Sequence, residues 1–245
     1  MKTIWLDSID STNTEALRNL AQYPDGTVLA AREQTAGRGQ RGNTWFSEPG
    51  KNLTFSIILK WEPGRMQAAD AHWLNYVISE AIAVFLQGSG VEASIKWPND
   101  IYVGSRKICG ILIENLLDGP CVKASVIGVG LNINQQDFPQ LANATSLACS
   151  TGRQYRLEPC LEQLLAIFER LLPSLSTESL RTGLFERYST RLFRKGRRAR
   201  YHDYLTDEEY WGLLEGVEPD GRLRILDLDT RQDRYYRFKE VGYIL

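Results

Sequence analysis

A glycine-rich basic loop carries the strongest chemical signal in this sequence. Residues 37–43 read Gly-Arg-Gly-Gln-Arg-Gly-Asn. Glycine lets a chain approach a ligand closely, and the guanidinium groups of Arg38 and Arg41 are planar donor forks for phosphate or carboxylate oxygens. The loop has neither the Gly-Lys-Ser/Thr end of a Walker loop nor a dinucleotide-binding glycine pattern. Composition alone leaves two interpretations open, an anion-binding loop or a mobile basic turn.

Two aromatic residues, Trp45 and Phe46, follow the loop. An aromatic ring beside a phosphate-binding loop is well placed to stack on a purine, but packing in the core is the commoner role of a single tryptophan. Both interpretations stay open at this point.

A second group of charged and amide side chains lies within residues 96–107. Pro98 ends a strand and holds Asn99 and Asp100 in a turn, and a hairpin then returns Lys107 toward the same end of the sheet. A lysine, an amide and a carboxylate gathered in this way suit a nucleotide with its metal. The alternative is a charged hairpin whose Asp–Lys surface pair has little energetic weight.

A third segment places two glycines inside a predicted strand. Gly128 and Gly130 lie within the run Val-Ile-Gly-Val-Gly-Leu-Asn that ends at Asn132. Glycine inside a strand usually marks the close approach of a ligand or of another backbone. Tight packing of the sheet explains the pattern equally well.

Hydrophobic periodicity predicts the elements that must position these residues. Thr12 followed three residues later by Glu15 fits a capping box at a helix N-terminus. Residues 53–59 begin with strict alternation, which predicts a strand with one buried face, and residues 68–86 have apolar residues at helical spacing. Further strands are predicted at residues 27–31, 93–96, 101–103, 108–113 and 122–129, and further helices at residues 161–172 and 180–188.

The composition shifts at the basic run of residues 194–198. Four short β-like segments follow, at residues 199–204, 210–217, 223–228 and 235–238, with turn residues between them. We predict two domains, residues 1–193 and a small β-barrel-like unit at residues 194–245. The basic run itself is interpreted as a solvated boundary, because acidic residues follow it at once.

Charge and cysteine usage exclude several classes of function. The chain has 245 residues with 29 basic and 30 acidic side chains, so its net charge gives no bulk attraction to DNA or to a membrane. An early acid in the N-terminal segment argues against a signal peptide, and we expect a cytoplasmic protein. The four scattered cysteines and two histidines do not form a zinc pattern.

Taken together, four segments resemble the biotin–protein ligase family: Ser11-Thr12-Asn13, residues 33–45, residues 96–107 and residues 128–132. The order of the segments, with Lys107 followed by Cys109 to Glu114, makes the resemblance specific. It extends from about residue 3 to about residue 190 and more loosely beyond. The short segment before Ser11 implies the monofunctional type, without the DNA-binding domain of repressor members.

The resemblance implies an α+β fold, a mixed sheet with helices related to class II aminoacyl-tRNA synthetases, plus a C-terminal SH3-like barrel. It implies that biotin and ATP form biotinyl-5′-AMP with release of pyrophosphate. Biotin is then transferred to one lysine of the biotin carboxyl carrier domain of a carboxylase. Mg²⁺ is the implied metal. An exposed strand edge is compatible with either a homodimer or a docked carrier, and the sequence does not choose between them.

The same resemblance implies a role for each matching residue. Lys107 would contact both the biotin carboxylate and the α-phosphate, with Arg38 as the second catalytic cation. Trp45 would stack on adenine, and Asp100 would help to hold the nucleotide or Mg²⁺. The remaining predicted ATP-binding residues are Arg41, Lys96, Asn99 and Asn132. The remaining predicted biotin-binding residues are Ser11, Thr12, Asn13, Gln34, Gly39, Gln40, Gly110, Gly128 and Gly130.

One departure from the family pattern concerns the loop. Many members have an arginine where this chain has Gln40, and in the repressor-type enzyme that arginine helps to retain the adenylate. Tight retention is therefore in question here, although activity should survive. Two rival functions are a lipoate–protein ligase, which shares the fold and the adenylate chemistry, and a biotin-binding regulator without turnover.

Overall fold

Two β-sheets and five α-helices make up the computed structural model, which describes residues 1–139, 141 and 143–244, except for the side chain of Arg41. The helices are α1 (Thr12–Arg18), α2 (His72–Gly88), α3 (Leu147–Thr151), α4 (Leu157–Leu171) and α5 (Glu178–Thr190). The first sheet contains β1 (Lys2–Ile9), β2 (Thr27–Gln34), β3 (Leu53–Lys60), β4 (Ser94–Lys96), β5 (Asp100–Val103), β6 (Arg106–Asp118) and β7 (Cys121–Leu131). The second contains β8 (Arg198–Asp203), β9 (Glu208–Val217), β10 (Leu223–Asp227), β11 (Asp233–Tyr236) and β12 (Val241–Ile244).

The first sheet is mixed, with the strand order β1-β2-β3-β7-β6-β5-β4. Only β1 and β2 pair in parallel, joined by α1 in a β-α-β unit, and the other neighbours are antiparallel. The predicted strands and the hairpin of β5 and β6 are confirmed. Strand β1 was not predicted, because it is an edge strand whose residues are only partly buried.

Strand β3 corrects one prediction about burial. Seven of its eight residues, Leu53 to Leu59, are buried, so both of its faces are covered rather than one. Helix α1 packs on one face, where Ala16 meets Ile58, and the larger cluster that contains Ile57 and α2 lies on the other. A strand in the middle of a sheet loses the alternation of apolar and polar residues when helices cover both faces.

Helix α1 begins one residue earlier than the predicted capping box. Ser11 is the N-cap, and its hydroxyl accepts from the backbone N–H of Thr14. Thr12 is the first helical residue, and its hydroxyl is 3.1 Å from Gln34 Oε1. Glu15 accepts from the side chains of Asn19 and Tyr23 instead of closing a capping box. The Thr12 side chain therefore does not cap the helix and faces the interior of the protein.

The second sheet is antiparallel, with the order β11-β10-β9-β8-β12. Strand β12 was not predicted. Among the described residues β11 and β12 are the two edges, so the sheet is compatible with the expected SH3-like unit but is not closed into a barrel. All five strands follow residue 194, and the domain boundary at residues 193 and 194 stays a prediction.

The two sheets share one continuous core. The main hydrophobic cluster includes residues of both, from Val28 to Val241. Trp97 donates from Nε1 to the carbonyl of Gly221 at 3.3 Å, and the tilted rings of Phe193 and Tyr243 have centroids 6.2 Å apart. The contact between Phe193 and Tyr243 brings β12 against the end of β4 and β5. Within the described residues, no helix combines the length and apolar character needed to cross a membrane.

Replacing Ile57 by alanine should lower the free energy of unfolding by about 2–5 kcal/mol, because the lost methyl groups leave a cavity in the centre of the sheet. Urea denaturation followed by circular dichroism measures this change. Lys60→Ala, at the exposed end of the same strand, is the matched control and should stay within about 0.5 kcal/mol of the parent. Equal losses in the two variants would contradict the central position of β3.

Candidate active site

A cavity of about 610 Å³ lies between the glycine loop, the first sheet and the edge of the second sheet. Fifteen of the predicted site residues line it. These are Ser11, Thr12, Asn13, Gln34, Arg38, Gly39, Gln40, Trp45, Lys96, Asn99, Asp100, Lys107, Gly110, Gly128 and Gly130. The fold therefore brings together four segments that are far apart in sequence, while their individual roles stay predictions.

One end of the cavity is an uncharged polar network. Gln34, at the end of β2, accepts through Oε1 from the backbone N–H of Thr12 at 2.8 Å and from its hydroxyl at 3.1 Å. The Ser56 hydroxyl, fully buried on β3, lies 2.7 Å from Thr12 Oγ1 and 2.6 Å from Asn13 Oδ1. Buried polar groups bonded to one another keep fixed positions. This end suits a neutral ligand group that both donates and accepts hydrogen bonds.

Gly128 allows Asn13 to lie directly on the sheet. A Cβ atom at position 128 would be 2.2 Å from Asn13 Oδ1, a distance that no side chain could tolerate. The Asn13 amide nitrogen donates to the carbonyl of Leu112 at 3.2 Å and to Glu114 Oε2 at 2.9 Å. The absence of a side chain at residue 128 thus decides where the amide of Asn13 sits.

Trp45 occupies the space above the second glycine of β7. A Cβ atom at Gly130 would lie 2.2 Å from the Trp45 ring, and one at Gly110 would lie 3.1 Å from it. The Trp45 Nε1 atom is buried without a hydrogen-bond partner among the described residues. In this structure the glycines accommodate Asn13 and Trp45, and their predicted role in binding biotin stays a prediction.

The glycine loop is folded back on itself and attached to β6. Gly39 N–H donates to the carbonyl of Asn43 at 2.7 Å, and Trp45 N–H donates to that of Gly37 at 2.9 Å. Arg38 forms a two-pronged ion pair with Glu114, at 2.8 Å from Nη2 and 3.2 Å from Nη1. The loop is thus an ordered turn whose arginine is held by an acid.

A β-bulge turns Lys107 toward the cavity. The pairing of β5 with β6 runs from Ile101 opposite Cys109 to Tyr102 opposite Lys107, so Ile108 is the extra residue. Regular alternation from Gly110 would direct residue 108 to the cavity and residue 107 to the core. The bulge reverses this, and Lys107 Nζ lies 2.6 Å from Asp100 Oδ1 and 5.8 Å from the centre of the Trp45 ring.

Lys96 is the third cation of the cavity wall. Its Nζ lies 5.0 Å from the ring centre of Tyr102 and 5.2 Å from that of Tyr243 on β12. Burial lowers the pKa of Lys96, although Asp100 nearby acts in the opposite direction. The aromatic faces partly replace the water that burial removes. The second sheet therefore contributes directly to the cationic end of the cavity.

Asn132, a predicted ATP-binding residue, does not line the cavity. The amide nitrogen of Asn132 donates to the carbonyl of Thr145 at 2.9 Å, and the residue is buried outside the cavity lining. Its Oδ1 has no partner among the described residues. The side chain of Arg41 lies outside the described residues.

Sequence reasoning missed Ser56, Glu114 and Tyr243. Ser56 is a small polar residue in the buried part of β3 and is paired with Gly128, so the glycine is a signal that could have pointed to it. Glu114 follows Gly110 by four residues on the same face of β6, which is the alternation of a strand. Tyr243 lies in the strand that was not predicted.

No group of three or more metal-ligating side chains occurs in the described part of the chain. Among the described residues that line the cavity, Asp100 is the acidic one, and its carboxylate is paired with Lys107. Mg²⁺ commonly binds through one or two carboxylates together with the phosphates of a nucleotide. The residues present fit a metal that arrives with a nucleotide better than a resident metal.

Replacing Gly130 by alanine should lower the free energy of unfolding by about 1–3 kcal/mol, because the Trp45 ring must move away. The loss should shrink in a Trp45→Ala background, which a double-mutant cycle of denaturation measurements will show. Gly216→Ala is the matched control, since a Cβ atom there meets nothing within 4 Å. Additive losses would mean that the ring does not lie on Gly130.

Comparison with known proteins identifies the relatives of this chain. The model of the biotin/lipoate A/B protein ligase family matches residues 5–132. The bifunctional ligase/repressor BirA of Bacillus spizizenii is 33% identical over 68% of this chain and 52% of its own length. The chain thus spans about half the length of this relative. A biotin–[acetyl-CoA-carboxylase] ligase of Paracoccus denitrificans is 34% identical over 69% of this chain and 72% of its own.

The fold agrees with these sequence matches. A biotin protein ligase from Aquifex aeolicus, solved with biotin and ATP, superposes with a TM-score of 0.82. It is 25% identical and covers 98% of this chain and 97% of that one. The matched segment contains the polar end, the glycine loop and Lys107, and the mixed sheet is shared. The chain belongs to the biotin/lipoate A/B protein ligase family.

Proposed function

We propose that this chain is an ATP-dependent biotin–protein ligase. It joins biotin to ATP as biotinyl-5′-AMP, with release of pyrophosphate, and then transfers the biotinyl group to a lysine of a carboxylase carrier domain. The observation that carries the proposal is the polarity of the cavity, which has neutral hydrogen-bonding groups at one end and three cations at the other. Family membership and the biotin and ATP bound to the Aquifex aeolicus ligase support the same assignment.

The polar end favours biotin over lipoate. The ureido ring of biotin has two N–H donors and a carbonyl acceptor, which Thr12, Asn13 and Gln34 can match with hydroxyl and amide groups. The dithiolane ring of lipoate has no such donors or acceptors, so it would cover this end without bonding to the hydrogen-bonding positions that the protein leaves open, at a cost of about 1–3 kcal/mol for each group left unsatisfied. The chemistry of this end thus discriminates between the two acids.

The cationic end addresses the main barrier of the first reaction. A carboxylate must attack the α-phosphorus of ATP, and the two anions repel each other until positive groups lie between them. Lys107, turned inward by the bulge, and Arg38, on the loop, are the groups proposed to span the carboxylate and the α-phosphate. Pyrophosphate then leaves, and positioning with electrostatic stabilisation supplies most of the catalysis.

Asp100 is proposed to assist the metal that accompanies ATP. Its carboxylate is paired with Lys107 Nζ at 2.6 Å, so Lys107 becomes available when Asp100 turns to another cation. Mg²⁺ would supply charge neutralisation of the triphosphate at this place. Asn99, whose amide donates to the carbonyl of Ile111 at 2.8 Å, holds the turn before Asp100 in position.

The second reaction needs a mixed anhydride that survives until the carrier arrives. The carrier lysine attacks the acyl carbon, the bond between that carbon and the phosphate oxygen breaks, and AMP leaves. Water would attack the same carbon, so the loop and Trp45 must shield it. The proposed carrier is a folded domain that presents its lysine at the mouth of the cavity.

ATP–pyrophosphate exchange should depend on biotin and should fail with lipoate. Mass spectrometry of a candidate carrier domain, incubated with biotin, ATP, Mg²⁺ and the protein, should then show one biotinyl group on one lysine. An equal exchange rate with the two acids would contradict the biotin assignment. Biotin binding without ATP–pyrophosphate exchange would favour the alternative function, a biotin-binding regulator without catalytic turnover.

Lys107→Ala should reduce adenylate formation by about 10²–10³-fold, because a positive charge aimed at the reacting phosphate is lost. Single-turnover formation of labelled adenylate measures this effect separately from product release. Lys123→Ala is the matched control, since Lys123 is exposed on β7 and should leave the rate unchanged. A near-normal rate in Lys107→Ala, with the fold intact, would show that the assigned role is wrong.

A further inference from the structure

Glu114 joins the two halves of the cavity through one carboxylate. Its Oε1 accepts from Arg38 Nη2 at 2.8 Å. Its Oε2 accepts from Arg38 Nη1 at 3.2 Å and from Asn13 Nδ2 at 2.9 Å. Asn13 belongs to the polar end and Arg38 to the glycine loop, so the acid connects the ligand-recognition motif with the loop.

Among the described side chains of the glycine loop, two make hydrogen bonds to strand β6. Arg38 reaches Glu114, and Gln40 Nε2 donates weakly to the carbonyl of Ile111 at 3.4 Å. The bond of Gln40 is at the limit of hydrogen-bond length, whereas the pair of Arg38 is charged on both sides and two-pronged. The stronger attachment of the closed loop is therefore the one that ends on Glu114.

We propose that Glu114 is a positioning residue that holds the glycine loop (residues 37–43) closed over the cavity and thereby retains the adenylate. The inference depends on the proposed function, because it concerns the intermediate of that reaction. Glu114 acts through Arg38 and Asn13 and does not itself touch the reacting atoms. Many family members have a second arginine at the position of Gln40, and in the repressor-type enzyme that arginine helps to retain the adenylate. In this chain Glu114 supplies the retention instead.

The strength of the ion pair suits a loop that must open and close. The side chains of Arg38 and Glu114 are 44% and 25% exposed, so water and salt weaken their attraction. A partly exposed pair of this kind shifts an equilibrium by only a few-fold. The loop can therefore open for entry of the substrates without a large barrier.

The pair with Glu114 leaves Arg38 able to bind a ligand. A guanidinium group has five N–H donors in a fixed plane. The contacts with Glu114 and with Thr14 Oγ1, at 3.4 Å, use Nη1 and Nη2, and the Nε–H takes no part in them. Glu114 thus fixes the plane of the guanidinium while a donor stays available for an anion.

Asn13 makes closure of the loop sensitive to the occupant of the polar end. Its amide is confined by Gly128 on one side and by Ser56 and Glu114 on the others. A ligand that bonds to Asn13 restricts this amide further and steadies the carboxylate that it contacts. Binding of the acid and closure of the loop therefore favour each other.

The test follows the loss of preformed adenylate. The parent protein and Glu114→Gln are loaded with labelled biotinyl-5′-AMP, separated from free nucleotide, and left without a carrier. Water attacks the acyl carbon of escaped or unshielded adenylate, the bond between that carbon and the phosphate oxygen breaks, and biotin and AMP appear. Glu114→Gln keeps an acceptor for Asn13 but loses the charge opposite Arg38, so AMP should appear about two- to fivefold faster.

Ionic strength separates a charge effect from a general loss of structure. Raising NaCl from about 0.01 M to about 1 M shortens the Debye length from ~30 Å to ~3 Å, so leakage from the parent should increase. Leakage from Glu114→Gln should hardly change. Asp118→Asn, which neutralises an exposed acid on the same strand, is the matched control and should behave like the parent.

Three outcomes would overturn the proposal. They are equal leakage from Glu114→Gln and the parent, leakage from the parent that ignores salt, and equal effects of Glu114→Gln and Asp118→Asn. Should Glu114→Gln not fold, the salt dependence of the parent decides alone. Failure of the parent to form any adenylate would instead contradict the proposed function, so the two failures are distinguishable.

Discussion

Positive charge gathered in a partly buried cavity must be stabilised before any ligand arrives, and this constraint organises the site. Arg38 lies against Glu114, Lys107 against Asp100, and Lys96 between the rings of Tyr102 and Tyr243. These cations are only partly buried, so each partner contributes a modest stabilisation, but a charge without any partner would be less stable in the cavity than in water. In the proposed reaction an anionic substrate would replace these partners, so the same side chains are stabilised both when the site is empty and when it is filled.

The glycines of β7 impose a second constraint on the site, the space available for side chains above the strand. Gly128 and Gly130 are adjacent positions on one face of the strand, and Asn13 and Trp45 lie on them. The polar end and the aromatic wall of the cavity are thus built on the bare backbone of a buried strand. A methyl group at Gly128 or Gly130 would overlap Asn13 or Trp45. The absence of side chains at these two positions of β7 therefore decides the shape of a cavity that other segments line.

The small second sheet is part of this arrangement. Residues of β12 and of the turn before it line the cavity, and Tyr243 faces Lys96. A shared hydrophobic core and the bond from Trp97 to Gly221 hold the two sheets together. A small sheet with two open edges has little stability alone, so its contribution to the cavity and its own stability both depend on contact with the first sheet.

The sequence by itself predicted which segments share one site, from the chemical types and the order of the loop, the hairpin and the strand glycines, and fifteen of the predicted residues line one cavity. It also predicted most helices and strands from their periodicity. Only the tertiary structure decided the direction of Lys107, since the bulge at Ile108 depends on how β5 pairs with β6. The same holds for Ser56 and Glu114, which are unremarkable residues until strand pairing places them beside Gly128 and Arg38. Periodicity reports which face of an element is buried, whereas register between distant strands sets which side chains touch, and that information lies in the packing of the whole chain.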